Sequence, residues 1–231
     1  KVYRKEQKKK NIDKTINKGT VHHILIDDER ILSLLDNIIN EFDDIFKYFF
    51  DGNYILNTIG GNNLSKDIPY YGLIHRDIRT HISEVNLMCQ FLIPLDDFTI
   101  NNGATCILSG SHKSKEKPSK KYFFENSKKA VAEKGSVIFF NSNCWHASGE
   151  NLSGHDRSSI IITLSTPYFK PQFDYVRFLG KDRVLEQSNH LKQLIGYFAR
   201  IPSNLDEWCR PVSERYYRNS QEKQYYKKYE E

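Results

Sequence analysis

Eight histidines stand in this 231-residue chain: His22, His23, His75, His81, His112, His146, His155 and His190. One local pattern among them stands out, His75-Arg76-Asp77. In an extended segment, residues i and i+2 project to the same face. An imidazole and a carboxylate two apart can therefore take adjacent positions on one metal ion. The third ligand must come from elsewhere, and His146 is placed for it, one short turn after the apolar run Val137–Phe140. Two histidines and one carboxylate on one face leave three positions open, the arrangement of non-haem Fe(II) oxygenases. A His-x-Asp pair alone is a weak signal that chance often produces.

A second feature strengthens the reading. Arg157 lies eleven residues after His146, at the start of the next apolar run. If the two runs are antiparallel neighbours, Arg157 returns to the same cavity, where its planar fork suits a bidentate grip on a carboxylate. A cosubstrate with two acid groups can then chelate iron at one end and meet Arg157 at the other. Ser148, two after His146, points to the same side and is within reach of that cosubstrate.

With these residues in place, the sequence resembles the phytanoyl-CoA dioxygenase family of Fe(II)/2-oxoglutarate-dependent oxygenases. The resemblance runs through His75-Arg76-Asp77, Leu92-Ile93-Pro94-Leu95-Asp96-Asp97, Asn102-Gly103-Ala104-Thr105 and Ser109-Gly110-Ser111-His112-Lys113. It continues through Gly135-Ser136-Val137-Ile138-Phe139-Phe140, His146-Ala147-Ser148-Gly149, Asn151-Leu152-Ser153 and Arg157, in the family's order, over residues 54–166. It implies a mainly β fold with flanking helices around a double-stranded β-helix, the cupin-like jelly roll. It implies His75, Asp77 and His146 as iron ligands, Arg157 as the 2-oxoglutarate anchor and Ser148 as a further cosubstrate contact. The implied reaction converts 2-oxoglutarate and O2 to succinate and CO2 and hydroxylates a small molecule. Related halogenases have a small residue where this chain has Asp77, so hydroxylation is the expected outcome. Arg76 departs from the residue often found between the two ligands and reads as a spacer. Asn57, Asn62 and Asn63 precede His75 and are candidates for another cosubstrate contact. Arg79, His81 and Trp145 are candidates for substrate contact.

Other readings are weaker. His-Arg-Asp also opens a protein-kinase catalytic loop, but the Asn expected four residues after the Asp is Ile82 here, and no Gly-rich loop is present. A non-catalytic jelly roll that binds sugars or other small molecules needs neither three metal ligands nor a buried arginine. A cupin using Zn or Ni would carry more histidines.

The elements that must position these residues follow from patterning. Residues 29–50 read as one amphipathic helix, with Ile31, Leu34, Leu35, Ile38, Ile39, Phe42, Ile45 and Phe46 at three-to-four spacing, Asp27 or Asp28 as N-cap and Gly52 past the end. From Tyr54 to Thr166 short β-rich runs alternate with turns: Val85–Leu95, Thr105–Leu108, Val137–Phe140 and Ser158–Ser165. Lys113–Lys129 reads as a long lysine-rich surface loop. Arg183–Phe198 reads as a helix, and a second opens at Asp206-Glu207-Trp208 after Pro202.

Charge narrows the partners. Residues 1–18 hold eight bases and two acids, a local +6, while the other 213 residues hold 26 bases and 27 acids, a balance of −1. Residues 1–20 are thus expected to be a basic tail and 21–231 a single oxygenase domain. A near-neutral body has no broad field for nucleic acid. No apolar run approaches the roughly 20 residues of a membrane span, and the basic N-terminus lacks the apolar segment of a leader. Cys89, Cys106, Cys144 and Cys209 form no CxxC pair and suit reduced thiols in a cytoplasmic protein. Arg79 and the lysine-rich segment suggest an anionic substrate.

Overall fold

A computed structural model of the chain describes residues 19–64, 72–78, 80–199, 201–202, 204–209 and 211. They fall into two compact units, one within 1–25 and 57–165, the other within 26–56 and 166–231. Nearly all of the expected basic tail, residues 1–18, lies outside the described residues.

The first unit is built on two antiparallel sheets. The larger has the order β1-β2-β8-β3-β6, from Thr20–His22, Ile55–Leu64, Arg157–Ser165, Met88–Pro94 and Ile138–Asn141 respectively. The smaller has the order β5-β4-β7, from Lys128–Lys129, Cys106–Ile107 and His146–Ala147. This pair of sheets is the double-stranded β-helix expected from the sequence. β3 pairs with β8 along its whole length, from Met88↔Ser165 to Pro94↔Ser159. Every residue of β3 is buried, so its polar side chain, Gln90, must find partners inside the protein. The small sheet is extended by isolated bridges, His75↔His146, Phe98↔Ala132 and Asn102↔Asn151.

Two glycines set the approach of chain segments in this unit. Gly103 takes φ +83°, and a Cβ there would collide with Leu64 and with the Gly149 carbonyl. A Cβ on Gly149 would sit 2.6 Å from the Ala104 carbonyl oxygen. The Asn102-Gly103 turn signal therefore reflects both a left-handed backbone and a lack of room.

The Lys113–Lys129 segment is more ordered than a surface loop. Ser111–Lys113 forms a 3-10 turn and α2 spans Lys120–Asn126. Ser119 caps α2 by accepting from the Tyr122 N–H, and Phe123 is wholly buried. One buried anchor per two turns is too sparse a pattern to reveal a helix from periodicity.

The second unit is helical. α1 (Glu29–Phe50) is the amphipathic helix predicted, capped by Asp28, whose carboxylate accepts from the Arg30 N–H. Its end differs slightly: Asp51, not Gly52, takes the left-handed position, at φ 51°. The buried stripe is Leu32, Leu35, Ile38, Ile39, Phe46 and Phe50, while Ile45 is half exposed. The expected helix over 183–198 is broken into α4 (Lys181–Glu186), α5 (Asn189–Leu194) and a 3-10 turn at Tyr197–Ala199, preceded by α3 (Tyr175–Leu179). Ser188 makes the break, because its hydroxyl caps α5 by accepting from the Leu191 N–H. α6 (Leu205–Trp208) opens after Pro202 as expected, with Asn204 as its cap. Among the described residues, no helix is long and apolar enough to cross a membrane.

Candidate active site

His75 and Asp77 sit on an extended segment, and His146 opens β7. His75 and His146 form a reciprocal backbone bridge, each N–H donating to the other's carbonyl at 3.0 Å. The bridge sets the two imidazoles side by side, with ring centres 4.3 Å apart. Alternation then brings Asp77 to the same face. Its Oδ1 lies 3.6 Å from His75 Nε2, and its Oδ2 lies 3.4 Å from His146 Nε2. All three ligand atoms fall within 4.8 Å of one another.

Hydrogen bonds select the ring nitrogens that face this cluster. His75 Nδ1 lies 2.8 Å from the Leu73 carbonyl, and His146 Nδ1 lies 3.0 Å from the Cys144 carbonyl. A carbonyl only accepts, so each Nδ1 carries the proton and each Nε2 presents a lone pair. Burial shifts His146 below the ordinary histidine range; Asp77 opposes the shift and His75 adds to it. The imidazole thus stays neutral, as a metal ligand must. Two donors about 2.1 Å from one ion and at right angles lie about 3 Å apart, so the observed spacings fit a divalent ion with little adjustment. Two imidazoles and one carboxylate are the donor set of a non-haem iron centre.

Asp77 has a support that sequence reasoning missed. Gln90 donates from Nε2 to Asp77 Oδ2 at 2.6 Å, and its own Oε1 accepts from Thr163 Oγ1 at 3.1 Å. The signal was a lone amide within the apolar run Met88–Pro94. Such groups orient a ligand carboxylate.

The cluster lines a cavity of about 120 Å3 whose wall also includes Asn62, Gln90, Thr105, Ser148, Arg157 and Ser159, with Leu92, Phe140 and Ile161 as apolar surface. Arg157 is 2% exposed. Its guanidinium donates to the Gly103 carbonyl at 2.9 Å and packs 4.0 Å above the Phe98 ring. Burial lowers its pKa to about 10, against the opposing pull of Asp96. Its Nε has no hydrogen-bond partner, and neither do Ser159 Oγ or Asn62 Oδ1, although all three atoms are buried. The Arg157 Nε–H and the Ser159 hydroxyl are donors that a carboxylate ligand would satisfy.

The structure thus brings His75, Asp77, His146, Arg157 and Ser148 around one cavity. Of the three asparagines before His75, only Asn62 lines it. Asn57 donates to Ser165 Oγ at 3.4 Å, and Asn63 meets Asp156 and Ser158. Thr105, Ser159 and Gln90 are additions that the sequence reading lacked. Two of the suggested substrate contacts, Trp145 and His81, are not among the residues lining the cavity. Trp145 packs beside the buried cluster of Ile74, Cys106, Leu108, Phe123 and Ala147, because strand alternation turns it away from His146. His81 points its Nε2 at the His112 carbonyl, 3.1 Å away, and is not part of the cavity lining. Arg79 lies outside the described residues.

Fold and site together define a cupin-type oxygenase scaffold. The structure of HygX from Streptomyces hygroscopicus with nickel and 2-oxoglutarate bound has this fold; it aligns over 77% of this chain and 83% of its own, with a TM-score of 0.55 and 15% identity. In sequence, an uncharacterized protein of Mycobacterium tuberculosis is 39% identical over 160 residues, 69% of this chain and 55% of that protein. The dioxygenase cdmD of Talaromyces verruculosus is 28% identical over 122 residues, 52% of this chain and 39% of its own. The model of the phytanoyl-CoA dioxygenase family matches residues 1–159, and the chain belongs to that family. It spans about half the length of these curated relatives.

Proposed function

We propose that this chain is an Fe(II)/2-oxoglutarate-dependent dioxygenase that hydroxylates an anionic small molecule, consuming 2-oxoglutarate and O2 and releasing succinate and CO2. One observation carries the reading: a single cavity is lined by both the His75/Asp77/His146 donor cluster and the buried, incompletely bonded Arg157. HygX, a protein of this fold, binds nickel and 2-oxoglutarate, which supports both ligands. His75, Asp77 and His146 would hold Fe(II). Bound there, the metal supplies an oxidant for a substrate C–H bond at the expense of O2 and 2-oxoglutarate.

The protein's own contribution is positional. Arg157, with Ser148, Ser159 and Asn62, would receive the far carboxylate of 2-oxoglutarate and fix its reach toward the metal ligands. Gln90 keeps Asp77 turned into the cavity. Leu92, Phe140 and Ile161 give the cavity apolar surface that limits water near the reacting centre. Asp77 keeps a carboxylate at the position that halogenases vacate, which supports hydroxylation. The ground for an anionic substrate is the exposed lysines of the Lys113–Lys129 segment; the cavity wall itself carries Arg157 and, among the described residues, no lysine. The same reading takes 21–231 as one oxygenase domain with residues 1–20 as a basic appendage. It also places the protein in the cytoplasm, in keeping with its unpaired thiols. A sugar-binding jelly roll would have no use for Arg157 in the same cavity as a metal-ligand cluster.

The test is succinate release from 2-oxoglutarate with Fe(II) and ascorbate across a panel of acidic and neutral small molecules. Wild-type protein is expected to release succinate, and His146→Ala to fall to the background of the protein-free reaction. Equal rates for the two proteins would overturn the enzymatic reading.

A further inference from the structure

The residue between the two ligands of His75-Arg76-Asp77 is more than a spacer. Alternation that turns His75 and Asp77 into the cavity turns Arg76 to the opposite face. The same alternation turns Trp145 outward beside His146. On that outer face the two meet, with the Arg76 guanidinium carbon 4.2 Å from the Trp145 ring centre. One Arg76 nitrogen also donates to two backbone carbonyls of a separate segment, that of Ser111 at 3.1 Å and that of Ser114. Trp145 grips the same segment. Its backbone N–H donates to Ser111 Oγ at 2.8 Å, and its indole N–H donates to the Glu116 carbonyl at 3.0 Å.

We infer that Arg76 is a positioning residue for the metal ligands, acting with Trp145 and the 111–116 segment as an outer brace that holds the His75–Asp77 strand against β7. This rests on the reading of His75, Asp77 and His146 as a metal site. The need for a brace follows from the thin backbone support there. β7 is two residues long, and His75 joins it by a single isolated bridge. Beyond it, one longer backbone hydrogen bond, from the Asp77 N–H to the Ser142 carbonyl at 3.3 Å, ties the His75–Asp77 segment to the chain leading into β7. A planar guanidinium suits the task, because it stacks on an indole face while its edge donates to carbonyls. A lysine can supply the charge but not both contacts in one geometry.

The probe is Co(II) binding to metal-free protein without 2-oxoglutarate, followed through the visible d–d absorption of the ion, alongside the thermal unfolding midpoint of the metal-free protein. Arg76→Ala is expected to weaken Co(II) binding by about ten- to a hundredfold, the range for groups that orient metal ligands, and to change the Co(II) spectrum. Arg76→Lys is expected to fall between the two. It also serves as the deciding variant if Arg76→Ala does not fold. Wild-type Co(II) affinity and spectrum in the folded variants, whatever their melting midpoints, would overturn the brace while leaving the metal site standing. Failure of wild-type protein to bind Co(II), with no loss in His146→Ala to compare, would instead overturn the metal reading beneath it.

Discussion

The two sheets that wall the cavity are built differently. Arg157 opens β8, a nine-residue strand laddered to β3 over seven residue pairs. His146 opens β7, a two-residue strand, and its partner His75 sits on no named strand at all. The proposed cosubstrate end is therefore carried just beyond a continuous hydrogen-bonded ladder, which spans Ser159–Ser165 of the same strand. The proposed metal end is held by contacts of individual side chains: Gln90 on Asp77, both imidazole Nδ1 atoms on backbone carbonyls, and Arg76 on Trp145. A long ladder fixes a residue's place through many small contributions. A short strand leaves the work to a few individual hydrogen bonds, and each of those becomes consequential. The difference suits the chemistry, since three ligands must converge on one point while an anchor needs only to be buried and still.

Substitutions can break or sharpen this contrast. The largest effect is expected at the laddered end, from Arg157→Ala. Removing one partner of a buried charge pair costs about 2–5 kcal/mol, so 2-oxoglutarate should bind at least about thirtyfold more weakly. The Co(II) affinity should stay within about threefold of wild type. Anaerobic titration of the metal-loaded protein measures the first and Co(II) absorption the second. Equal loss of both would mean that the two ends are not separable.

A smaller and opposite pattern is expected from Gln90→Leu. The substitution keeps the volume but removes the donor to Asp77 and leaves the Thr163 hydroxyl unpaired. Metal affinity should fall about tenfold, the low end for such partners, with the larger share of the effect on the metal and not on 2-oxoglutarate. If 2-oxoglutarate binding falls more than metal binding, Gln90 serves the cosubstrate and the contrast needs redrawing.

The smallest effect comes from outside both sheets. Asp43 on α1 is partly buried, which raises its pKa, but its bonds to Lys47 at 2.5 Å and to Tyr54 at 2.8 Å outweigh burial and hold it below the ordinary carboxylate value. A carboxylate with a depressed pKa stabilises the fold above its unfolded value near 4, and that contribution is lost as the pH falls through the folded value. Asp43→Asn should therefore cost about 1 kcal/mol at pH 7 and less at pH 3 in urea unfolding. Neither ligand affinity should move. A change in Co(II) or 2-oxoglutarate binding in this variant would show that the helical unit reaches into site function.

Some of this was legible in the chain itself. α1 was readable end to end because its apolar positions repeat with the helix period and Asp28 is a recognisable cap. The runs at 88–94, 138–141 and 157–165 were readable as strands because they are apolar and bounded by turns. β2 escaped notice, since Asn57, Asn62, Asn63 and two adjacent glycines dilute its β character. The break at Ser188 escaped too, because a hydroxyl that caps one helix looks, in sequence, like a polar position within a longer one.

The proposed ligand pair His75 and Asp77 was legible from sequence alone, because i, i+2 alternation is a property of the backbone and needs no tertiary knowledge; His146 and Arg157 joined them through the family resemblance and their eleven-residue spacing. Tertiary structure decided which other polar groups join them. Gln90 meets Asp77, Asn62 enters the cavity while Asn57 and Asn63 turn away, and Trp145 meets Arg76 on the outer face. Each of these meetings joins segments 13 to nearly 100 residues apart in the chain, or selects one face of a strand. Register and facing between distant strands emerge only when the sheets are assembled, because a shift of a single residue would exchange the inward and outward sets.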